Sequence, residues 1–326
     1  ETADAWNDQI DRWTYAAATP LCQEIGVEGY YVRIAPPDTA DAASPLDGFV
    51  PIKNRPAQDG RSRASALVSP DALALVRFGL RAANDPRILN TVRVIDARLK
   101  VDLPTGPCWR RYNGDGYGEH EDGSPFDGTG IGRLWPLLTG ERAHYELAAG
   151  DKDTAEALLA ALESFASDGH LIPEQIWDGP DIPERELFHG RPSGSAMPLV
   201  WAHAEHLKLL RSLRDGAVFD MPTQTYQRYV VEGVRSRHTV WRLNQKCRNF
   251  AAGTVVRIEL CRAATVHWSV DNWRRVQDTP TRESGFGTFF ADLDTAALQP
   301  GDAVVFTLRW QADGRWPGED YRLTAG

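Results

Sequence analysis

The sequence predicts a mainly α chain that changes to a β domain near residue 219. Between residues 1 and 218, apolar side chains recur at helical spacing in about six segments. After residue 219, short segments alternate polar and apolar residues, with turn residues roughly every ten positions. Helices that alternate with loops rich in glycine, aromatic and acidic residues favour an α/α toroid. About 100 residues of short strands favour a small β-sandwich.

The predicted helices are marked by their start signals as well as by their period. Ser69 followed by Pro70 reads as an N-cap and first helical residue, and Asp85-Pro86 has the same form. Asp153 and Glu156 form a possible capping box. The predicted helices cover residues 2–15, 69–80, 85–99, 133–149, 153–166 and 196–213.

The predicted strands lie mainly in the last third of the chain. One short strand is expected earlier, at residues 29–34, before a long irregular loop at 36–66. The remaining predicted strands are 226–231, 238–243, 255–260, 265–270, 287–291 and 304–310. Tryptophans in this part could bind sugar or fill the core of the sandwich, and the second use is favoured. They are Trp268, Trp273, Trp310 and Trp316.

Composition excludes several classes of function for this chain of 326 residues. The net charge of −9 argues against a nucleic-acid partner. No apolar run of roughly 18 residues occurs, so no membrane span is predicted. The four cysteines are too few for a disulfide scaffold, and they and the eight histidines lack metal-ligand spacing. Cys247 and Cys261 flank a predicted strand and could pair or remain thiols.

The segment 171–178 lies between two predicted helices and contains the first candidate catalytic group. Pro173 stops regular structure before Glu174, and Gly179-Pro180 stops it after Trp177. Catalytic groups are commonly held on such loops by a rigid scaffold. A carboxylate beside an aromatic ring suits a sugar, although a single loop glutamate is commonly just solvated.

Three further features point to carbohydrate. Ser195 opens the next helix and could donate a hydrogen bond to a carboxylate, or could instead be the N-cap of that helix. Trp201 lies one to two turns into the same helix. The Gly-rich segment 110–119 supplies cations, phenols and carboxylates. Acidic groups, an arginine with paired donors and many aromatic rings are together typical of a sugar site.

Four segments carry a resemblance to a known family. RYNGDGYGE, LLTGERAHYELAAG, PEQIWD and GSAMPLVWAHAEHLKLLRS resemble the second half of bacterial glucoamylases and glucodextranases, glycoside hydrolase family 15. The resemblance runs from about residue 1 to the C-terminus. It implies that residues 1–218 are the C-terminal half of an (α/α)6 catalytic domain and that 219–326 are a C-terminal β-sandwich.

The resemblance also assigns roles to individual residues. Family members hydrolyse with inversion, using one carboxyl as acid and one as base. The base falls on Glu174, and the matching serine, Ser195, hydrogen-bonds it. The arginine that grips the terminal glucose falls on Arg111, although a salt bridge with Asp115 or Glu119 is the structural alternative. The predicted substrate contacts are Arg111, Tyr112, Glu119, Trp135, Gln175, Trp177 and Trp201.

Several alternatives remain open at these positions. Core packing is an equal expectation for Trp135. Glu119, Glu121 and Asp122 lie on the right kind of loop for the acid, but the resemblance makes them scaffold or substrate contacts. Acidic and polar side chains at every second position from Asn113 suggest calcium, yet the twelfth position is Ser124 rather than Glu, so no metal is predicted.

One family feature is missing from the sequence. The family's general acid lies in a Trp-Glu-Glu type segment, and no such segment occurs here. The chain is therefore expected to be part of a longer enzyme and inactive by itself. The expected function is release of glucose from non-reducing ends of α-glucans without a cofactor, by a parent located extracellularly or in a periplasm. The alternatives are an α-1,6 glucodextranase, a trehalase-like member or a non-catalytic carbohydrate-binding remnant.

Overall fold

The computed structural model describes residues 1–36, 46 and 48–326 of the chain. The central part of the loop predicted at 36–66 lies outside these residues. The mixed α and β class predicted from the sequence is confirmed. None of the helices in the described ranges is long and apolar enough to span a membrane.

Five of the six predicted helices are present with shifted ends. The segment predicted at 69–80 contains only a four-residue α-helix, and two short helices at 20–25 and 223–226 were not predicted. The helices are α1 (Thr2–Thr14), α2 (Pro20–Ile25), α3 (Ala74–Arg77), α4 (Pro86–Leu99), α5 (Pro136–Ala148), α6 (Lys152–Ser164), α7 (Val200–Asp215) and α8 (Thr223–Tyr226). Asp85 caps α4 by accepting a hydrogen bond from the backbone N–H of Arg87 at 2.8 Å. Gly216 ends α7 in the left-handed region at φ 72°.

Three local predictions about helix ends were wrong. Asp151, not Asp153, caps α6, because its carboxylate accepts the backbone N–H of Thr154 at 3.0 Å. Ser69 donates to the Asp71 carboxylate instead of capping, and residues Pro70–Leu73 form a 3-10 turn before α3. The helix predicted from residue 196 begins at Val200.

Short strands connect the helices of the first part. They are β1 (Tyr15–Ala17), β2 (Gly29–Tyr31), β3 (Phe49–Pro51), β4 (Arg61–Arg63), β5 (Lys100–Leu103), β6 (Gly106–Arg110) and β7 (Leu134–Trp135). The last three form an antiparallel sheet of order β5-β6-β7. Its register pairs Trp109 with Trp135 and Arg110 with Leu134, so the ends of β6 and β7 lie side by side. The Gly-rich segment leaves β6 at this point and returns at β7.

Two larger sheets follow in the last part of the chain. Their strands are β8 (His238–Trp241), β9 (Asn249–Phe250), β10 (Val255–Leu260), β11 (Ala264–Ser269), β12 (Gln277–Pro280), β13 (Arg282–Glu283), β14 (Phe289–Leu293), β15 (Ala303–Trp310) and β16 (Tyr321–Ala325). One sheet has the order β13-β14-β10-β8, and the other has the order β12-β11-β15-β16-β9. Both contribute to one buried cluster, in which the ring of Trp241 lies 4.9 Å from Phe306 and 4.5 Å from Tyr321.

The described residues form two compact units. One comprises Glu1–Trp13 with Arg235–Gly326, and the other comprises Thr14–Pro36 with the described residues of Pro45–Val234. In the first unit, Asp8 accepts the backbone N–H of Ser236 at 2.6 Å, which ties α1 to the start of the β sheets.

The strand predicted at 226–231 is helical instead, since α8 continues into a π-helical turn at Gln227–Val231.

Candidate active site

The loop that carries Glu174 lies between α6 and α7, as predicted, and is held by backbone hydrogen bonds on both sides. The N–H of Glu174 donates to the carbonyl of Ala196 at 2.8 Å. The N–H of Ile176 donates to the carbonyl of Leu134 at 2.9 Å, so the loop runs beside β7. At the other end, the ring of His203 on α7 accepts the N–H of Ile172 at 3.0 Å. Glu174 is therefore fixed in position by neighbouring elements.

Glu174 faces a cavity of about 620 Å³. The wall is formed by the Gly-rich segment, the Glu174 loop and the residues just before α7. It comprises Tyr117, Gly118, Glu119, Gly123, Pro125, Phe126, Glu174, Gln175, Glu184, Arg185, Leu187, Gly194, Ser195 and Ala196. The hydroxyl of Tyr117 donates to Oε2 of Glu174 at 3.3 Å. Burial and then the charge of Glu174 raise the pKa of Tyr117, so this phenol keeps its proton at neutral pH.

Ser195 lies next to Glu174, but its contact differs from the prediction. Its Oγ accepts the backbone N–H of Gln175 at 2.9 Å. Among the described residues, Tyr117 and not Ser195 is the side chain hydrogen-bonded to the Glu174 carboxylate. The alternative of an N-cap is also wrong, because α7 starts five residues later at Val200. Ser195 thus holds the backbone beside Glu174 through an accepted hydrogen bond.

Gln175 and Glu119 were predicted to contact substrate, and both are buried. The amide Nε2 of Gln175 donates to the carbonyl of Tyr117 at 2.8 Å, and Gln175 is 1% exposed. Its side chain therefore ties the Glu174 loop to the Gly-rich segment, and because Gln175 also lines the cavity, its contact with substrate stays a prediction. Glu119 lines the cavity, and its Oε2 has no hydrogen-bond partner among the described residues. That oxygen is buried, so the position of Glu119 in the cavity wall is what keeps it a candidate for substrate contact.

Arg111 lies in a second cavity, of about 170 Å³. Its Nε and one terminal nitrogen donate to Asp115 at 2.7 and 2.9 Å, which is the structural salt bridge considered as the alternative. Burial opposes the charge of Arg111, but this paired contact outweighs it and raises the pKa of the guanidinium. The guanidinium carbon lies 5.0 Å from the ring centres of Tyr117 and Trp135.

The second cavity also brings together three of the predicted aromatic residues. Tyr112, Trp135 and Trp201 all line it. Trp201 is 57% exposed, whereas Tyr112 is buried against a cluster that includes Val50. Trp135 is 5% exposed, so it both packs in the core and presents an edge to the cavity. Its ring lies 6.2 Å from Tyr117, which lines the larger cavity.

Trp177 does not form a pocket wall, contrary to the prediction. It is 0% exposed, and its Nε1 donates to the carbonyl of Pro180 at 2.7 Å. The guanidinium of Arg133 lies 4.0 Å from the ring centre and covers it. Arg133 in turn pairs with Asp178 at 3.0 Å. Trp177 is therefore part of the scaffold beneath the loop.

Two residues of these cavities were missed by the sequence reasoning. Tyr117 was counted only as one of the phenols of the Gly-rich segment. Glu141 on α5 lines the cavity with Arg111, and no protein hydrogen bond to its carboxyl is found among the described residues. Burial, and then the charge of Glu205, raise the pKa of Glu141 to about 7. A signal was present, since Glu141 lies at helical spacing from Leu137 and Leu138, which are both buried in α5.

Among the described residues, no group of three or more His, Cys, Asp or Glu side chains could hold a metal ion. In the Gly-rich segment that resembled a calcium loop, two of the polar side chains contact other parts of the protein. Asp115 pairs with Arg111, and Asn113 accepts the backbone N–H of Val68 at 2.8 Å.

The four cysteines are free thiols, of which Cys261 is exposed.

Comparison with known proteins places this arrangement in context. The sequence model of "Glycosyl hydrolases family 15" matches residues 1–211. A glucoamylase from Clostridium sp. (strain G0005) is 45% identical over 232 residues, which are 71% of this chain and 30% of that protein. The crystal structure of a bacterial glucoamylase complexed with acarbose matches with a TM-score of 0.61 and 43% identity, over 70% of this chain and 31% of that one. The chain thus spans about a third of the length of these relatives.

Proposed function

Because the chain belongs to family 15 of the glycosyl hydrolases, we propose that it forms part of an active site that releases glucose from the non-reducing ends of α-glucans with inversion. In this proposal, residues 1–218 are the C-terminal half of an (α/α)6 toroid and residues 219–326 are a β-sandwich domain. The name of the Clostridium relative favours α-1,4 linkages. A polymeric substrate cannot cross a membrane, so the whole enzyme is proposed to act outside the cytoplasm.

The observation that carries this proposal is the position of Glu174 on the wall of the larger cavity. An inverting glycosidase needs a carboxylate that removes a proton from water on the face opposite the leaving group. Tyr117 holds Oε2 of Glu174 by its hydroxyl. The other oxygen, Oε1, is assigned to the attacking water. The backbone bond from Glu174 to Ala196 keeps the carboxylate aimed at that position.

Arg111 and the aromatic rings of the second cavity are proposed to hold the terminal glucose. Asp115 uses the N–H of Nε and one terminal nitrogen of Arg111, and this fixes the plane of the guanidinium. The remaining N–H donors of that plane can bind vicinal hydroxyls. Trp201 offers an exposed apolar face for the ring of the sugar. Acarbose, bound by the related bacterial glucoamylase, is the matching probe for this site.

The proposal is tested with a chimera. The 232 matched residues of this chain replace their counterparts in the Clostridium glucoamylase, which supplies the rest of the catalytic domain. Proton NMR of soluble starch hydrolysis should show β-glucose as the first product, because water attacks opposite the leaving group and the released glucose comes only from the non-reducing end. α-Glucose as the first product would contradict inversion. A chimera that unfolds cooperatively but releases no glucose would contradict the proposed role of this chain.

A further inference from the structure

An aromatic cluster lies on the five-stranded sheet, away from the buried core. The ring of His267 on β11 stacks on Trp273 with centres 5.7 Å apart and planes 16° apart. The ring of Trp316 lies 5.6 Å from His267 at 87°. The two indoles are therefore nearly perpendicular and form a corner around the imidazole. Trp316 is 48% exposed, so this corner is open to solvent.

The period of β11 explains why this cluster is outside the core. Val266 and Trp268 point into the buried cluster between the sheets, so His267 between them points to the opposite face. Trp268 is thus used as core, as the sequence analysis favoured, whereas Trp273 and Trp316 are not members of the buried cluster. Trp273 and Trp316 lie on the loops that follow β11 and β15, and both contact His267 outside the buried cluster.

The local backbone conformation fixes the position of Trp273. Asn272 and Trp273 have φ angles of 58° and 68°, a region that bulky residues rarely adopt. Such a conformation costs on the order of 1 kcal/mol and persists only where the surroundings enforce it. Ser269 accepts the N–H of Trp273 at 3.0 Å, and Asp271 accepts the N–H of Arg275 at 2.8 Å. The indole is therefore held over His267 before any ligand arrives.

One acidic and one basic side chain border the corner. The Asp278 carboxylate pairs with Nδ1 of His267 at 2.8 Å. The exposed guanidinium of Arg309 lies 5.9 Å from the ring centre of Trp316. An anion would be repelled by Asp278 and a cation by Arg309. A sugar ring suits both, since its hydroxyls donate as well as accept hydrogen bonds and its C–H face packs on an indole.

We propose that Trp273, His267 and Trp316 form a second carbohydrate-binding site, which binds an α-glucan chain on the outer face of the five-stranded sheet. The choice of an α-glucan rests on the proposed function. The site lies in one compact unit, and the Glu174 cavity lies in the other. The proposed site binds glucan and takes no part in hydrolysis. It retains the enzyme on its polymer substrate.

The test is affinity electrophoresis of the purified 326-residue chain in native gels with and without soluble starch. Starch should retard the chain. Trp316→Ala and Trp273→Ala should each raise the dissociation constant by about tenfold, the effect of losing one aromatic stacking contact. Trp316→Ala is the decisive variant, because its exposed ring can be removed without opening the core. Trp6→Ala, at another exposed tryptophan in the same unit, is the matched control and should be retarded normally.

Two further measurements distinguish failure of the second binding site from failure of the proposed function. Trp201→Ala alters the proposed site for the terminal glucose, so it should weaken retardation only slightly, because a starch chain presents one non-reducing end and many internal glucose units. Dextran gels should retard the chain less than starch gels. Absence of retardation by starch, or equal retardation of the wild type and Trp316→Ala, would overturn the second site. Retardation lost in Trp201→Ala alone would place all binding at the Arg111 cavity, and would leave the proposed function standing while overturning this inference.

Discussion

At the residue scale, the site depends on which polar atoms are already used by the protein. Arg111 has two of its N–H donors committed to Asp115, and Gln175 has its amide committed to Tyr117. Arg111 keeps further donors in its plane, whereas the Gln175 amide is buried. The two tryptophans differ in the same way in their exposure. Trp201 is exposed at the cavity, whereas Trp177 is covered by Arg133. Residue type alone does not distinguish these cases.

Arg111→Lys provides a residue-scale prediction. Lysine keeps the positive charge but lacks the planar pair of donors that satisfies Asp115 and the sugar together. In the chimera, the affinity for acarbose should fall about tenfold or more, the usual effect of losing a charged hydrogen bond. Isothermal titration calorimetry measures this directly. Arg191→Lys, at an exposed arginine of the same unit, is the control, and unchanged affinity in Arg111→Lys would make Arg111 purely structural.

Part of the site could be predicted from residues alone, and part could not. Pro173 and Gly179 delimit the loop, so the position of Glu174 between two helices followed from local chain chemistry. The partner of Glu174 is Tyr117, which is 57 residues away in sequence, and no local pattern identifies such a contact. The burial of Trp177 likewise depends on Arg133, which belongs to another segment of the chain.

At the scale of elements, α5 and α7 are joined by a buried ionic cluster. Glu205 on α7 contacts Arg77 and His144, both at 2.7 Å. Burial opposes ionisation of Glu205, but the hydrogen bond from His144 and the charge of Arg77 lower its pKa to about 2. Gly140 makes room for this contact, because a Cβ there would lie 2.8 Å from the Glu205 side chain. The negative charge of Glu205 is one cause of the raised pKa of Glu141.

Glu141→Gln should therefore stabilise the chain increasingly as pH rises. The Glu141 carboxyl has a pKa of about 7 when folded and an ordinary value of 4.5 when unfolded. Between these values, unfolding releases a proton, so the wild type loses stability with rising pH while the Gln variant does not. The gain of the variant should grow from near zero at pH 4 to at most about 3 kcal/mol at pH 8.

Urea unfolding of both proteins across this pH range measures the difference in free energy of unfolding. The groups that act on Glu141 are Glu205, Asp71, Arg77 and Lys208. All of them are unchanged in the variant. Glu156→Gln, at a surface ion pair on α6, is the control and should show no such trend. A stability difference that stays constant with pH would show that Glu141 titrates normally.

Element prediction succeeded where apolar spacing continued through a long segment and failed where local composition misled. Apolar spacing located α4 together with its Asp85-Pro86 start, and α7 together with Gly216 at its end, whereas the start signal at Ser69 preceded only a short helix. Residues 226–231 contain Tyr and Val, which favour strands, but they continue a helical turn. This helical segment begins close to Gly79, where an added Cβ would lie 2.8 Å from the backbone nitrogen of Tyr226.

At the scale of the whole molecule, two positions compete for the boundary between the proposed domains. The change in sequence period places it near residue 218, and the compact units divide after Val234. Limited proteolysis under native conditions is expected to cut first within 216–224 and to release a folded β fragment of about 100 residues. First cuts at Arg235 and Arg237, read from the N-terminal sequence of the fragment, would move the boundary to the division between the compact units.

Glu174 is proposed as the base of a glycosidase site that this chain helps to build, and maltose turnover by the chimera tests that role. Glu174→Gln keeps the shape of the side chain but cannot take a proton from water, so turnover should fall about 100-fold or more while acarbose affinity is kept. The surface variant Glu156→Gln should keep normal turnover. Near-normal turnover by Glu174→Gln would show that Glu174 is not the base.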